Sequence, residues 1–262
     1  MLTVRRLFLS PTPQVGRKER PTPFKVEASP YYWWWYALTL NEDYRRFCER
    51  KAEGKRTRAS AEIRQVYEDF GDVRYEGDRY IAFKQWWTKR VNTDETQATY
   101  LFAEPLTNSF VRQVTDEEQA LDALERKDVL LVSIPLTIQR QYIDKRLNDL
   151  IRKHLPVKKG RKMRDPKKSN ARYSLTKAVL PDAVKKAFAV YDARKEMEAN
   201  GEPINNAVIA KRAGIKYTEK AKADEIAYSE AERNRIISAT ISRHYRQAKQ
   251  MIEAAGKGIF PY

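Results

Sequence analysis

Apolar residues recur at helical spacing along most of the chain. Ser29 and Pro30 supply an N-cap and a first-turn proline, and the run YYWWWYALTL that begins at Tyr31 is apolar on every side. A helix of that kind buries its whole surface, so it is expected in a core or an interface. Caps, glycine stops and periodicity predict the remaining helices in the same way. The predicted helices span 30–40, 42–51, 61–70, 79–90, 116–127, 137–156, 181–200, 204–213 and 231–255.

The period changes to that of strands in the middle of the chain. Residues 101–103, 110–114 and 129–134 are short apolar runs, the last of them (VLLVSI) rich in β-branched residues. We expect them to form a small sheet near 100–135, covered by the helix at 116–127. The predicted fold class is therefore mainly α with a small α/β element, flanked by helical N-terminal and C-terminal parts.

Composition shifts divide the chain into three parts. Residues 1–29 hold four prolines among polar residues and predict an extended arm, ordered only if other residues hold it. Residues 30–136 form an aromatic-rich N-terminal domain. We expect residues 137–262 to form a basic helical domain with a basic segment at 156–172 and a distinct helical unit at 204–255; the charge and the motif described next predict that this domain binds DNA.

Nearly all of the excess positive charge lies in the second half of the chain. Residues 138–262 contain 29 Lys and Arg against 14 Asp and Glu, whereas residues 1–137 contain 22 and 21. The segment 156–172 alone carries eight cations and one acid. Such an asymmetry favours a polyanion partner, and contacts with phosphates would make the affinity fall steeply with salt. The candidate nucleic-acid-binding residues of this segment are Lys158, Lys159, Arg161, Lys162, Arg164, Lys167, Lys168 and Arg172.

The segment INNAVIAKRAGI, at Ile204–Ile215, has the spacing of a known DNA-binding motif. Ala210 is followed four positions later by Gly214, a small residue where two helices cross and a glycine where the turn needs positive φ. The segment resembles the first helix and turn of a divergent helix-turn-helix unit, which implies a recognition helix in the major groove of duplex DNA. The residues expected to face the core are Val208, Ile209 and Ala213.

Two registers of the second helix are open. In one, Thr218 caps an unusually acidic recognition helix; in the other, which we favour, 217–230 is an insertion and the recognition helix is 231–255. That helix has an apolar face and, opposite it, Arg and Ser side chains suited to guanine edges and phosphates. An ordinary solvated basic face is the competing interpretation. The candidate contacts of this unit are Lys211, Arg212, Arg235, Ser238, Ser242, Arg243, His244, Arg246 and Lys249.

A second class of function would use acids of the N-terminal half. Carboxylates cluster around Gly71, with Lys84 nearby in sequence, and paired carboxylates can hold Mg²⁺ for phosphodiester hydrolysis. Helix caps use the same residue types, and the spacing matches no nuclease motif. The acids concerned are Glu68, Asp69, Asp72, Glu76 and Asp78.

A third interpretation is a protein that binds RNA or a ribonucleoprotein as an inhibitor. The block at 31–36 and the pair Trp86 and Trp87 could stack on single-stranded bases, although core or oligomer packing explains them better. Cys48 stands alone, so it forms no internal disulfide or cysteine zinc site, and no cofactor is predicted. No apolar run is long enough to cross a bilayer, which favours a cytoplasmic protein with no membrane contact.

Taken whole, the chain resembles uncharacterised proteins of bacterial mobile elements and prophages. The features are the block YYWWWYALTLNEDY, FGDVR at 70–74, LFAEP at 101–105 and the basic helical C-terminus. This resemblance implies a context and no activity. We predict sequence-specific or structure-tolerant binding of duplex DNA by a protein that regulates transcription in a mobile element or phage. We also expect a homo-oligomer, as most helix-turn-helix proteins are.

Overall fold

The chain folds mainly into helices, as predicted. The computed structural model describes residues 7–56, 58–105, 113–125, 129–154, 169–215 and 230–262. Within these ranges the helices are α1 (Pro23–Glu27), α2 (Pro30–Leu40), α3 (Glu42–Ala52), α4 (Ala61–Phe70), α5 (Arg79–Thr88), α6 (Gln97–Phe102), α7 (Glu117–Glu125), α8 (Arg140–His154), α9 (Pro181–Ala199), α10 (Asn206–Arg212) and α11 (Glu230–Ala255).

The aromatic helix α2 is the centre of the core. Each of its six aromatic residues, 31–36, is at least 95% buried, so they are core residues and offer no platform to bases. Trp33 stacks on Phe188 with ring centroids 5.5 Å apart, and Trp34 stacks on Phe260 at 5.7 Å. Each such ring removes roughly 150–250 Å² from water, so this helix contributes strongly to the hydrophobic stabilisation of the described core.

Residues predicted as caps begin and end the N-terminal helices. Asn41 accepts a hydrogen bond from the Tyr44 amide 2.9 Å away, and its Nδ2 donates to the Ile252 carbonyl oxygen at 2.8 Å. It therefore starts α3 and ties it to the C-terminal end of α11. Gly71 ends α4 with φ 71° and ψ −168°, a conformation that essentially only glycine adopts and that costs other residues about 1–3 kcal/mol.

The N-terminal arm is held on the core, and it contains a short helix that the sequence pattern does not predict. The Ser29 hydroxyl donates to the Pro11 carbonyl at 2.7 Å, and the Phe8 ring packs against Tyr31. At the end of α1 the buried Glu27 accepts hydrogen bonds from Tyr80 and Lys185, each at 2.6 Å. A buried carboxylate is stable only with such partners, and they are distant in sequence.

The predicted small sheet is wrong. The described residues contain no strand, only isolated bridges that pair Phe8 with Ala103 and Arg90 with Thr96. Residues 101–102 finish α6 instead, because the Thr96 hydroxyl and amide make a capping box with Thr99. The run 129–134 is irregular and largely exposed. The run at 110–114 lies mostly outside the described residues.

Helices from both ends of the chain share one core. One hydrophobic cluster joins α2, α4, α5 and α6 with Val184 and Phe188 of α9 and with Ala248 and Ile252 of α11. The Tyr36 hydroxyl also donates to Asp192 of α9 at 2.8 Å. The division of the chain at residue 137 stays a prediction, and the packing places α9 and α11 directly against the aromatic helix.

Candidate nucleic-acid interface

The helix-turn-helix-like segment packs with the helices on either side of it. A second hydrophobic cluster joins Val190 and Met197 of α9, Ile209 and Ala210 of α10, and Ile241 of α11. The Asn205 side chain caps α10 by accepting from the Ala207 amide at 2.8 Å. Three helices with one small core between them therefore form the described part of this unit.

The turn after α10 has the predicted geometry. Gly214 adopts a φ of 64°, and Ala210 is 93% buried where α10 crosses its neighbours. Ile209 is fully buried and Ala213 packs beside it, but Val208 is exposed and was wrongly placed in the core. A seven-residue helix turns only one side towards α9 and α11, and Val208 lies about 100° from Ile209. Residues 216–229, which decide between the two registers, lie outside the described residues.

Helix α11 separates apolar from basic side chains. Its apolar side packs into both clusters through residues that include Ile241, Ala248 and Ile252. The opposite side is solvent-facing: Arg235, Ser242, Arg243, Arg246 and Lys249 are exposed, and Ser238 is half-buried at its margin. Residues 233–252 contain five Lys and Arg and no acid. At about 1.5 Å per residue, the exposed stripe from Arg235 to Lys249 is about 21 Å long.

Two of the other predicted contacts, Arg212 and Arg172, have structural partners. Arg212 forms an ion pair with Glu202 at 2.6 Å, and Lys211 beside it is exposed. Arg172 lies over the Tyr100 ring at 4.4 Å. His244 is half-buried, and burial, followed by the charge of Arg243, lowers its pKa. The imidazole is therefore neutral near pH 7 and is a weak candidate for a phosphate contact.

The basic segment is anchored at its C-terminal end. Lys158, Lys159, Arg161, Lys162, Arg164, Lys167 and Lys168 lie outside the described residues. Directly after them, the Ser169 hydroxyl and the Asn170 amide donate to the buried Glu104 carboxylate at 2.6 and 2.9 Å. The Tyr173 amide then donates to the Leu101 carbonyl at 2.9 Å. The segment thus joins the core beside α6, at a point that the sequence does not indicate.

Of the acids considered for a nuclease site, Asp69, Asp72 and Asp78 have partners within the fold, whereas Glu68 and Glu76 are exposed. Asp69 is 93% buried and accepts from Gln65 and Tyr173, both at 2.8 Å, and from Tyr100 and Arg172, both at 3.3 Å. Within the described part of the chain, no three His, Cys, Asp or Glu residues are grouped so that they could hold a metal ion.

The neighbouring acids are similarly engaged. Asp72 pairs with Arg74 at 2.7 Å, and Asp78 caps α5 while it pairs with Arg20 at 2.6 Å. Burial, and then the charge of Asp72, raise the pKa of the Cys48 thiol to about 12, so this cysteine is an unreactive core residue.

A second basic surface lies in the N-terminal half, and the charge balance of that half conceals it. Five exposed cations occur within nine residues between the end of α3 and the start of α4, against one acid, Glu53. Counting charges in windows of about ten residues reveals this cluster from the sequence, whereas the net charge summed over residues 1–137 hides it. The cations are Arg50, Lys51, Lys55, Arg56 and Arg58.

Comparisons with known proteins assign no family. No protein-family model, no curated protein and no solved structure matches the chain. Among the helices of the described ranges, none is both long and apolar enough to cross a membrane. The geometry of α9–α11 and the distribution of charge therefore carry the functional argument.

Proposed function

We propose that the chain binds duplex DNA through the exposed face of α11. The observation that supports this is the separation of side chains on one long helix. One side is bound into two hydrophobic clusters, and the other presents Arg235, Arg243, Arg246 and Lys249 to solvent. A helix held rigidly by one face, with cations and hydroxyls on the other, suits the major groove, which admits an α-helix.

The supporting helices fit a divergent helix-turn-helix unit. Gly214 and Ala210 have the conformation and burial that this motif requires, and α10 packs against α11. Lys211 is exposed on α10, where a helix that precedes the recognition helix can reach the phosphate backbone. The resemblance to mobile-element and prophage proteins suggests regulation of transcription as the role.

Salt-dependent binding of α11 variants tests the proposal. The variant Arg243→Gln/Arg246→Gln/Lys249→Gln removes three charges from the exposed face without touching the apolar one. Since each phosphate contact contributes about 0.9 to the slope of log K against log salt, the slope should become shallower by about 2.7. The dissociation constant for a random-sequence duplex should rise roughly tenfold or more at about 0.1 M salt.

A control with the same loss of charge separates local contacts from net charge. Lys25→Gln/Lys89→Gln/Arg90→Gln removes three exposed cations that lie outside α11. The control should keep the wild-type slope. Equal losses in both variants would reduce the binding to nonspecific attraction by net charge, and a wild type that prefers RNA at equal salt would move the function to the third interpretation.

Self-association through α7 and α8 is also part of the proposal. Leu121, Leu124, Tyr142, Leu150 and Ile151 are exposed on these two helices. Within the helices, α7 has four acids and no base, whereas α8 has five Lys and Arg against two Asp. Complementary charge beside apolar residues suits a second copy of the chain, with α7 of one protomer on α8 of the other.

Light scattering after size exclusion tests this interface. The wild type should be a dimer at micromolar concentration, and Leu150→Ser/Ile151→Ser should be a monomer with an unchanged helical circular dichroism spectrum. Because both side chains are already exposed, the substitutions remove little from the core of one protomer. A monomeric wild type at about 50 μM would exclude this interface, since stable dimers have Kd values well below that concentration.

A further inference from the structure

A surface cleft lies where the C-terminal end of α11 meets α3 and the start of α4. Its volume is about 780 Å³, and four cations and three acids line it. The cations are Arg46, Arg50, Arg58 and Lys257, and the acids are Asp43, Glu49 and Glu253. Arg50 and Arg58 belong to the second basic surface described above, so the cleft opens beside the exposed cations of that surface.

The acids do not neutralise the cations of the cleft. Arg46 approaches Asp43 at 3.8 Å and Glu42 at 3.7 Å on its own helix, at the limit of an ion pair. Among the described residues, no ion pair includes Arg50, Arg58 or Lys257. Arg50 and Lys257 feel the charges of Glu53 and Glu62, but no described carboxylate forms an ion pair with them or with Arg58, so the three cations lining one concave surface form an electrostatic site for an anion.

The cleft continues the exposed stripe of α11. Glu253 lines the cleft, and it lies seven residues, about two turns, after Arg246 on the same side of the helix. From Arg235 to Glu253 the helix rises about 27 Å. The exposed stripe of α11 therefore leads into the cleft on the same side of the helix.

We propose that this cleft binds the phosphate backbone of the duplex that α11 contacts. Arg50, Arg58 and Lys257 supply the charge, and Arg46 exchanges its weak carboxylate contacts for a phosphate. The site rests on the proposed function, and it gives the nearly neutral N-terminal half a direct part in DNA binding. Because backbone contacts carry no base information, the cleft raises affinity for all sequences alike and sets the register of α11.

The variant Arg50→Gln/Arg58→Gln/Lys257→Gln tests the site. Its three side chains are exposed, so the fold should be retained. Relative to Lys25→Gln/Lys89→Gln/Arg90→Gln, it should weaken binding to a random duplex about tenfold and make the salt slope shallower by about 2.7.

A gain of binding gives an independent test. Glu253→Gln removes the acid that lies on both the stripe and the cleft, so affinity for the duplex should rise a few-fold. The inference is wrong, and the proposed function stands, if both cleft variants bind like the control while the α11 variant is weakened. If the wild type shows no salt-dependent binding to duplex DNA, the proposed function and the cleft site fall together.

Discussion

Asp69 offers the sharpest test of the assignment of the acids to the fold. Asp69→Ala removes the acceptor for Gln65, Tyr173, Tyr100 and Arg172 at once. The two bonds of 2.8 Å, from Gln65 and Tyr173, are worth about 1–1.5 kcal/mol each. The two bonds of 3.3 Å contribute less because they are long, and because Arg172 is also half-exposed. The free energy of unfolding should therefore fall by about 3 kcal/mol.

Urea unfolding followed by tryptophan fluorescence measures this loss. All five tryptophans are buried in the core, so their emission reports its opening. With an m-value of about 2–3 kcal/mol per molar urea, the midpoint of Asp69→Ala should fall by about 1–1.5 M. Duplex binding per folded molecule should remain unchanged, and no metal-dependent cleavage activity should be present in the wild type for the substitution to remove.

Asp72→Ala is the matched control, three residues away in the same cluster of acids. Its partner is Arg74 in a pair that is about one-third exposed, so the loss should stay below about 1 kcal/mol, or about 0.4 M in midpoint. Equal shifts of the urea midpoint for the two variants would refute the role of Asp69 as the hydrogen-bond acceptor that joins α4, α6 and the segment at 169–173. Cleavage of plasmid DNA that both variants abolish would restore the nuclease interpretation.

Three further substitutions test other parts of the structure. Folding lowers the pKa of His244, so the contribution of this histidine to stability is present above its ordinary pKa and is lost as the pH falls. In urea unfolding between about pH 7.5 and 5.5, His244→Gln should therefore lose less stability than the wild type. Identical losses for the two proteins would contradict this prediction. Gly214→Ala should cost about 1–2 kcal/mol because φ is 64°, and an unchanged melting temperature would show that the turn relaxes freely. Trp34→Ala should cost about 3–5 kcal/mol by leaving a cavity beside Phe102 and Phe260, and a cost below about 1 kcal/mol would contradict the observed packing.

Local chemistry makes most of the helices predictable. Asn41, Gly71, Pro181 and Gly214 act within one turn of their own positions, through a cap, a positive φ or a fixed φ. Apolar periodicity likewise identifies the buried side of α11 before any packing is known. The exposed basic side of α11 is therefore readable from the sequence, although its contact with DNA stays a prediction.

Predictions that needed a distant partner succeeded less often. The apolar run at 129–134 has the composition of a strand, but a strand needs a neighbour to pair with, and none lies beside it in the described chain. Leu101 and Phe102 are apolar enough for a strand, and the cap at Thr96 makes them the end of a helix.

What the sequence by itself determined is most of the helices with their caps, α1 and α6 excepted, and the concentration of positive charge. Only the tertiary structure decided that the aromatic helix is the core of the chain, that Asp69 and Glu27 are satisfied within the fold, and that basic residues near Arg50 meet the end of α11. The reason is physical. Caps and periodicity depend on residues within a few positions, whereas a buried carboxylate or a cleft depends on side chains that about 100 to 200 positions of chain separate.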